Sequence, residues 1–340
     1  MPSLSSRLRA GAFSGVLLLA AGPSFANDSM VRIDAGGIEL ITSDSVRMVS
    51  EDLHVTRGEI RVDYVFANET SKAVSATIGF PLPAIDRDLQ NNFDEQAYDL
   101  DNPMDDFVTL IDGKKIPSNR RMIVRTEAGD DISALLERTG LMPPPSYKEP
   151  WNYRPANDKQ WAALEKAAAK AGIGSVRGEW RYQLVYIWDL ELPAGASASV
   201  KHRYHPWIGG YGLYNTGDTS ELRDRRRQIV DNYCLSDDAV STMIQNVGPD
   251  GLVGYISEVG YILKTGANWA GPIGHFRLTI DPPQDGAAMM TCWPDASQGL
   301  VRTPIVFEAK DFTPTRDLLI GFHWKPEANP FLDKNVSPAP

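Results

Sequence analysis

Strict alternation of apolar and polar residues is the feature of this sequence that most limits its possible folds. From Ile60 to Tyr64 apolar and polar side chains alternate, the pattern of a strand with one face buried. Similar segments recur between residues 31 and 83, between 179 and 204, and in the last third of the chain. The Asp112-Gly113 pair between two short strands is a strong hairpin signal. Short alternating strands joined by polar turns predict a mainly β fold of antiparallel, sandwich-like layers.

The order of these segments predicts two β-sandwich-like domains, at residues 27–206 and 233–326. Capping residues and apolar spacing predict a helical insertion at about residues 131–172 in the first domain. Residues 207–232 form the predicted linker, which contains a glycine-rich loop at 209–212 and a linking helix in the charged run that follows. The proline-containing tail at 327–340 is expected to fray.

The first 26 residues have the three parts of a secretory signal peptide. Arg7 and Arg9 form a basic start, an apolar run follows from residue 10 to 21, and small residues precede the predicted cleavage between Ala26 and Asn27. The alternative is a membrane anchor, but the apolar run is shorter than the roughly 20 residues that span a bilayer. No cysteine follows the cleavage site until Cys234, which disfavours a lipid anchor. We expect a periplasmic or secreted protein without a transmembrane anchor.

The charge of the chain narrows the choice of partners. The full chain carries 34 basic and 44 acidic side chains, a net charge of −10. Removal of residues 1–26 takes away two arginines and no acid, which changes the net charge to −12. Because an acidic surface repels phosphate groups, nucleic acid and anionic membrane surfaces are poor candidate partners.

Two cysteines, Cys234 and Cys292, remain after cleavage. In an oxidising compartment two cysteines most simply form one structural disulfide. The alternatives are a redox pair or a metal site, but the two residues are far apart in sequence and no His/Cys cluster surrounds either. We therefore predict a Cys234–Cys292 disulfide.

The mature sequence lacks the dinucleotide-binding and hydrolase motifs. Gly210-x-Gly212 lacks the third glycine and the βαβ context of a dinucleotide site, and the mature chain has no G-x-S-x-G elbow. His202 and His205 lie three residues apart in a predicted strand and therefore on opposite faces, so we interpret them as surface or interface imidazoles. The sequence predicts no catalytic residue, no metal ligand and no cofactor.

Residues 86–106 form a strongly acidic segment with a single base. Its carboxylates suggest a calcium site or a glycosidase pair, but Pro103 interrupts the ligand spacing that Asp99-x-Asp101 begins. A solvated acidic loop is the competing interpretation. The candidate binding carboxylates are Asp99, Asp101, Asp105 and Asp106.

Aromatic residues are concentrated in irregular segments of the sequence. Trp207 and Tyr211 lie in the glycine-rich part of the predicted linker. Exposed aromatic rings can stack on sugars or bind a partner chain, whereas the alternative is that they cap the sandwich ends as part of the core. We include both as candidate binding residues.

Two stretches of sequence indicate a family. The strands at 46–53 and 65–68 with the Phe80-Pro81-Leu82-Pro83 strand end form one stretch, and the string Thr-Gly-Ala-Asn-Trp-x-Gly-Pro-Ile at 265–273 is the other. Together they resemble the bacterial domain-of-unknown-function family 4424, from about residue 27 to 325. The resemblance implies an exported bacterial protein and brings no established activity. Asn268 and Trp269 of the string complete the candidate binding residues.

We consider two hypotheses for the function of this protein. The first is a non-catalytic binding or interaction module whose partner is a protein or a glycan of the cell envelope. The alternative is an envelope glycan hydrolase that uses the carboxylates of the acidic segment, with or without calcium.

Overall fold

The structure is a computed structural model, and it describes residues 28–34, 37–82, 84, 106–144, 154–155, 157–206, 208–215, 217, 220–245, 247–248, 251–284, 286–293 and 299–326. In chain order the strands are β1 (Ser29–Asp34), β2 (Gly37–Ile41), β3 (Val46–Val55), β4 (Ile60–Asn68), β5 (Val74–Pro81), β6 (Val108–Ile111), β7 (Lys114–Ile116), β8 (Asn119–Thr126), β9 (Trp180–Leu192), β10 (Ser197–Tyr204), β11 (Ile208–Tyr214), β12 (Leu252–Tyr261), β13 (Ile273–Ile280), β14 (Ala288–Thr291), β15 (Ile305–Phe312) and β16 (Leu318–Trp324). The α-helices are α1 (Ser133–Thr139), α2 (Asp158–Lys170), α3 (Ser220–Tyr233) and α4 (Asp237–Gln245). The predicted mainly β fold is confirmed.

The strands form three sheets. The first sheet has the order β2-β1-β5-β9-β8, the second β15-β13-β3-β4-β10-β6-β7, and the third β11-β12-β16-β14. The first and second sheets face each other, since the rings of Phe80 on β5 and Trp188 on β9 lie 5.2 and 4.7 Å from the ring of His202 on β10. Between these sheets lies most of the hydrophobic core.

Alternation explains why the inner strands form where they do. On β4 the residues Ile60, Val62, Tyr64 and Phe66 are all completely buried, while the side chains between them are more exposed. Burial of each large apolar side chain contributes roughly 1.5–3 kcal/mol. A shift of the register by one residue would expose all four, so the buried face determines how β4 pairs with its neighbours.

The third sheet contributes one face to the same core and is covered by helices on the other. Tyr261 on β12 places its hydroxyl 2.8 Å from that of Tyr64 on β4. On the opposite face, α3 and α4 enclose a second cluster of buried side chains. A Cβ atom at Gly321 would lie 2.8 Å from the ring of Tyr233, so the absence of a side chain there lets α3 approach the sheet.

One pair of strands joins distant parts of the chain. Strand β13 pairs in parallel with β3, with Ile280 opposite Val55 and His275 opposite Ser50. Strands from both sides of the predicted boundary at 207–232 therefore share the second sheet. The two helices of the predicted insertion, α1 and α2, pack against each other and against the core through Leu135, Leu136 and Leu164.

The prediction of a loop at residues 209–212 is wrong. These residues lie within β11, which pairs antiparallel with β12 from Ile208 opposite Val259 to Tyr214 opposite Leu252. The partner strand lies about forty to fifty residues further along the chain, so the local glycine content could not indicate it. The linking helix is present as α3. Within the described residues, no helix has both the length and the apolar character that a membrane span requires.

Candidate functional site

A cleft of about 590 Å³ lies on the outer face of the first sheet. Even-numbered residues of β9, from Trp180 to Leu192, point into the core, so Ile187 and Asp189 point outward into this cleft. The cleft is bordered by α1 and the segment that follows it, through Glu137 and Met142. We call it the outer-face cleft. Its volume is within the range of small-molecule binding sites.

Two pairs of polar groups are held in the outer-face cleft. The hydroxyl of Thr77 on β5 donates to Oδ1 of Asp189 on β9 at 2.9 Å. Arg121 on β8 forms an ion pair with Glu137 on α1 at 3.6 Å, and both side chains are about half exposed. Asn119 on β8 also lines the cleft. The cleft therefore presents donors and acceptors whose positions are set by neighbouring strands and a helix.

A second group of polar residues is completely enclosed between the sheets. Nε2 of His202 lies 3.2 Å from both carboxylate oxygens of Asp28, and Nδ1 lies 3.2 Å from the Thr109 hydroxyl. Nearby, the Tyr261 hydroxyl contacts both the Tyr64 hydroxyl at 2.8 Å and the Glu51 carboxylate at 3.3 Å. We call these six residues the buried polar cluster.

Burial dominates the electrostatics of the buried polar cluster. Loss of hydration raises the pKa of the Asp28 carboxyl, and the neighbouring His202 partly offsets this increase. Burial likewise raises the pKa values of Tyr64 and Tyr261, and the nearby Glu51 carboxylate raises them further. Both tyrosines therefore remain protonated and can donate hydrogen bonds throughout the physiological pH range.

The Asp28–His202–Thr109 arrangement has the order of an orienting acid, a base and a hydroxyl nucleophile. Its side chains are at most 1% exposed, and the rings of Phe80, Phe107 and Trp188 surround His202. Within the described part of the chain, these rings separate the hydroxyl from solvent. A satisfied buried network of this kind favours one arrangement of the core over others.

Family membership follows from a comparison along the sequence. The family model described as "Domain of unknown function (DUF4424)" matches residues 26–320. The chain belongs to the DUF4424 family. The predicted resemblance is thus confirmed over most of the sequence.

Comparisons with individual proteins give distant structural neighbours of this DUF4424 chain. No curated protein matches it. A crystal structure of a proposed nutrient binding protein from Legionella pneumophila is similar with a TM-score of 0.40 and 14% identity, over 88% of this chain and 72% of that chain. An M1 zinc metallopeptidase from Deinococcus radiodurans, bound to a Tyr-Ser-Ala substrate, has a TM-score of 0.27 and 10% identity, over 83% of this chain and 44% of that chain.

Most of the predicted acidic site lies outside the described residues. Asp99, Asp101 and Asp105 fall there, so their role in the DUF4424 chain stays a prediction. Asp106 is described, and its carboxylate lies 2.5 Å from Nδ1 of His205 in an exposed pair. No group of three or more His, Cys, Asp or Glu side chains in the described segments is arranged to hold a metal ion.

The predicted aromatic and motif residues have different surroundings. Trp207 lies outside the described residues, whereas Tyr211 lies on β11 with the guanidinium of Arg225 at 4.4 Å from its ring centre. Burial, and then the nearby Glu258 carboxylate, raises the pKa of Tyr211 above its usual value.

The Thr-Gly-Ala-Asn-Trp string anchors the first strand. The Trp269 indole donates from Nε1 to the backbone oxygen of Asp28 at 2.9 Å, and the Asn268 amide donates to the Ser29 hydroxyl at 3.1 Å. Trp269 is 2% exposed and lies against the ring of Phe66. The indole therefore contacts the core of the DUF4424 chain and not solvent.

The predicted disulfide is present. Cys234 and Cys292 are bonded, with their Cα atoms 5.0 Å apart. The bond ties the residue after α3 to the residue after β14, so it holds the helical layer to the third sheet.

Sequence reasoning missed the buried polar cluster. The interpretation of His202 as a surface or interface imidazole is wrong, because its side chain is buried. The sequence of β10 could have indicated that His202 is buried. The other residues on its face of the strand are apolar in character, namely Ala198, Val200 and Tyr204. The partner Asp28 lies 174 residues away and could not be found by local pattern.

His323 on β16 gives the DUF4424 chain a testable pH dependence. Burial, with a smaller effect of Arg302, lowers its pKa to about 4. In the unfolded chain, the imidazole of His323 binds a proton near pH 6.5. The free energy of unfolding therefore decreases as the pH falls from about 6.5 to 4, and this histidine has no effect on it above that range. The loss reaches about 3 kcal/mol at pH 4. Denaturant unfolding at pH 7 and pH 4.5 should show a smaller difference for His323→Gln than for the wild type.

The control for this prediction is His275→Gln on β13, where the histidine is exposed. It should leave the pH dependence unchanged. An equal pH dependence in the wild type and in His323→Gln would contradict the assignment.

Proposed function

We propose that this protein is an exported, non-catalytic ligand-binding protein of the bacterial cell envelope. The signal in residues 1–26, with cleavage between Ala26 and Asn27, supports export. The Cys234–Cys292 disulfide supports it as well, because such bonds persist in oxidising compartments. The net charge of −12 for the cleaved chain favours partners other than nucleic acid and anionic membranes.

The observation that carries the binding function is the outer-face cleft with its positioned polar groups. Thr77 and Asp189 are joined by a hydrogen bond, and Arg121 and Glu137 by an ion pair. These groups do not have to be ordered when a ligand arrives, which reduces the entropic cost of binding. A protein segment or a glycan of the envelope is the partner that export makes available.

Loss of the ion pair in the cleft should weaken ligand binding. The double variant Arg121→Ala/Glu137→Ala removes two groups that line the outer-face cleft. We expect ligand retention to fall by about tenfold, equivalent to ~1.4 kcal/mol. The measurement uses the immobilised mature chain, with oligosaccharides released from bacterial cell walls and tryptic peptides of periplasmic proteins as two separate pools, and mass spectrometry of what is retained.

A matched control pair lies on the second sheet. Arg277 and Glu308 are also 3.6 Å apart and similarly exposed, so Arg277→Ala/Glu308→Ala makes the same chemical change away from the cleft. Retention should be unaffected in this control. Equal retention by all three chains, or none from either pool, would overturn binding in the cleft.

The chain recovered from the periplasm should begin at Asn27, and a mass that includes residues 1–26 would overturn processing at that site.

A further inference from the structure

We infer that the ligand of the outer-face cleft is an uncharged oligosaccharide, an inference that rests on the proposed binding function. It starts from the strand register. Asp189 on β9 lies opposite Thr77 on β5, and Ile187 lies opposite both Gly79 on β5 and Asn119 on β8. The outward face thus has Ile187 at the floor of the cleft, where it is only 5% exposed, with polar groups beside it on the neighbouring strands.

This arrangement matches the two surfaces of a sugar ring. A pyranose has a face of C–H groups and a rim of hydroxyls, so it needs an apolar contact flanked by hydrogen-bonding groups. Asp189 and Asn119 are diagonal neighbours about 7–8 Å apart across the strands. Ile187 is directly opposite Asn119 and two residues before Asp189 on β9, so it is adjacent to both, and Met142 adds an apolar contact from the segment after α1.

The charges of the cleft favour an uncharged ligand. Arg121 is paired with Glu137, and the Asp189 carboxylate already accepts from Thr77 through Oδ1. A lining of two arginines and two carboxylates has no net charge to attract an ionic ligand. The remaining acceptor and donor capacity suits hydroxyl groups, which both donate and accept.

The floor of the cleft favours recognition through side chains. Strand addition requires an unpaired strand edge that offers backbone N–H and C=O groups. The floor of the cleft is β9, which is paired with β5 on one side and with β8 on the other. Its backbone groups are therefore used within the sheet, so a ligand over the floor contacts side chains. Strand β8, which lines one side of the cleft, is the edge strand of the first sheet and is the position where an extended peptide would add.

Isothermal titration with defined probes tests the assignment. The probes are chitotetraose, cellotetraose and maltotetraose, with an uncharged extended octapeptide in parallel, each added to the mature chain. We expect at least one oligosaccharide to bind with a Kd of about 0.1–1 mM. Asn119→Ala and Thr77→Val should each weaken that binding by about 5–10-fold. Arg277→Ala/Glu308→Ala, which lies away from the cleft, should bind as the wild type does.

The outcomes separate the ligand class from the binding function. Binding of the octapeptide that is lost in Arg121→Ala/Glu137→Ala, without binding of any oligosaccharide, would overturn the glycan assignment and leave the binding function in place. Absence of binding by every probe would overturn both. Oligosaccharide binding that Asn119→Ala and Thr77→Val leave unchanged would overturn recognition in the cleft.

Discussion

Replacing Asp28 with alanine is expected to lower the free energy of unfolding by about 3–5 kcal/mol. The side chains of Asp28 and His202 are both completely buried and lie 3.2 Å apart. Without the carboxylate, the imidazole N–H is left inside the core without its acceptor, and the desolvation it underwent on folding is no longer offset. Urea denaturation of the mature Asp28→Ala chain at pH 7, compared with the wild type, measures the loss.

An exposed pair of the same residue types gives the control. Asp106 and His205 lie 2.5 Å apart with both side chains more than 40% exposed. Asp106→Ala should cost less than about 1 kcal/mol because solvent replaces the partner. A loss in Asp28→Ala no larger than in Asp106→Ala would show that the buried pair does not stabilise the fold. The double variant Asp28→Ala/His202→Phe, which removes both polar groups, should be more stable than Asp28→Ala alone.

Removal of the disulfide is the second large effect. The double variant Cys234→Ser/Cys292→Ser should lose about 4 kcal/mol of unfolding free energy, because the bond closes a loop of 58 residues in the unfolded chain. Cys234 has a φ of 52°, in the left-handed region, and serine experiences the same backbone cost there. The difference therefore reports the crosslink. Thermal unfolding under oxidising conditions, with the wild type alongside, measures it.

Reduction provides an internal control for this experiment. Dithiothreitol should bring the wild type to the stability of the double variant and should leave the double variant unchanged. Unchanged melting temperatures of the wild type and the variant under oxidising conditions would argue against a stabilising crosslink. The expected loss of structure begins in the helical layer, since the bond holds the end of α3 to β14.

The two effects act on different parts of the fold. Asp28 is the second residue of the predicted mature chain, and its side chain and backbone oxygen are held by His202 and Trp269 respectively. The pair thus joins the start of β1 to the second sheet, while the disulfide joins α3 to the third. We expect their contributions to be additive, because they share no partner residues.

Local pattern was sufficient for the strands whose partners lie close in sequence. The alternation at 60–66 predicted β4, and the Asp112-Gly113 turn predicted the β6–β7 hairpin, because both depend on neighbouring residues. The outer-face cleft could not be predicted in this way. Its lining residues come from β5, β8, β9 and α1, which are not consecutive in the chain. In addition, β8 begins with Asn119-Arg120-Arg121, which shows no alternation of apolar and polar residues by which a strand could be recognised.

The sequence by itself determined the mainly β character, the membership of the DUF4424 family and the pair of cysteines available for a disulfide. These depend on residue type and short-range periodicity, which the chain carries at every point. Only the tertiary structure decided that β13 lies parallel to β3, that Asp28 meets His202, and that Asn119 and Asp189 flank one apolar floor. Each of these contacts joins segments tens to hundreds of residues apart, and their proximity arises from how the three sheets bury their apolar faces together.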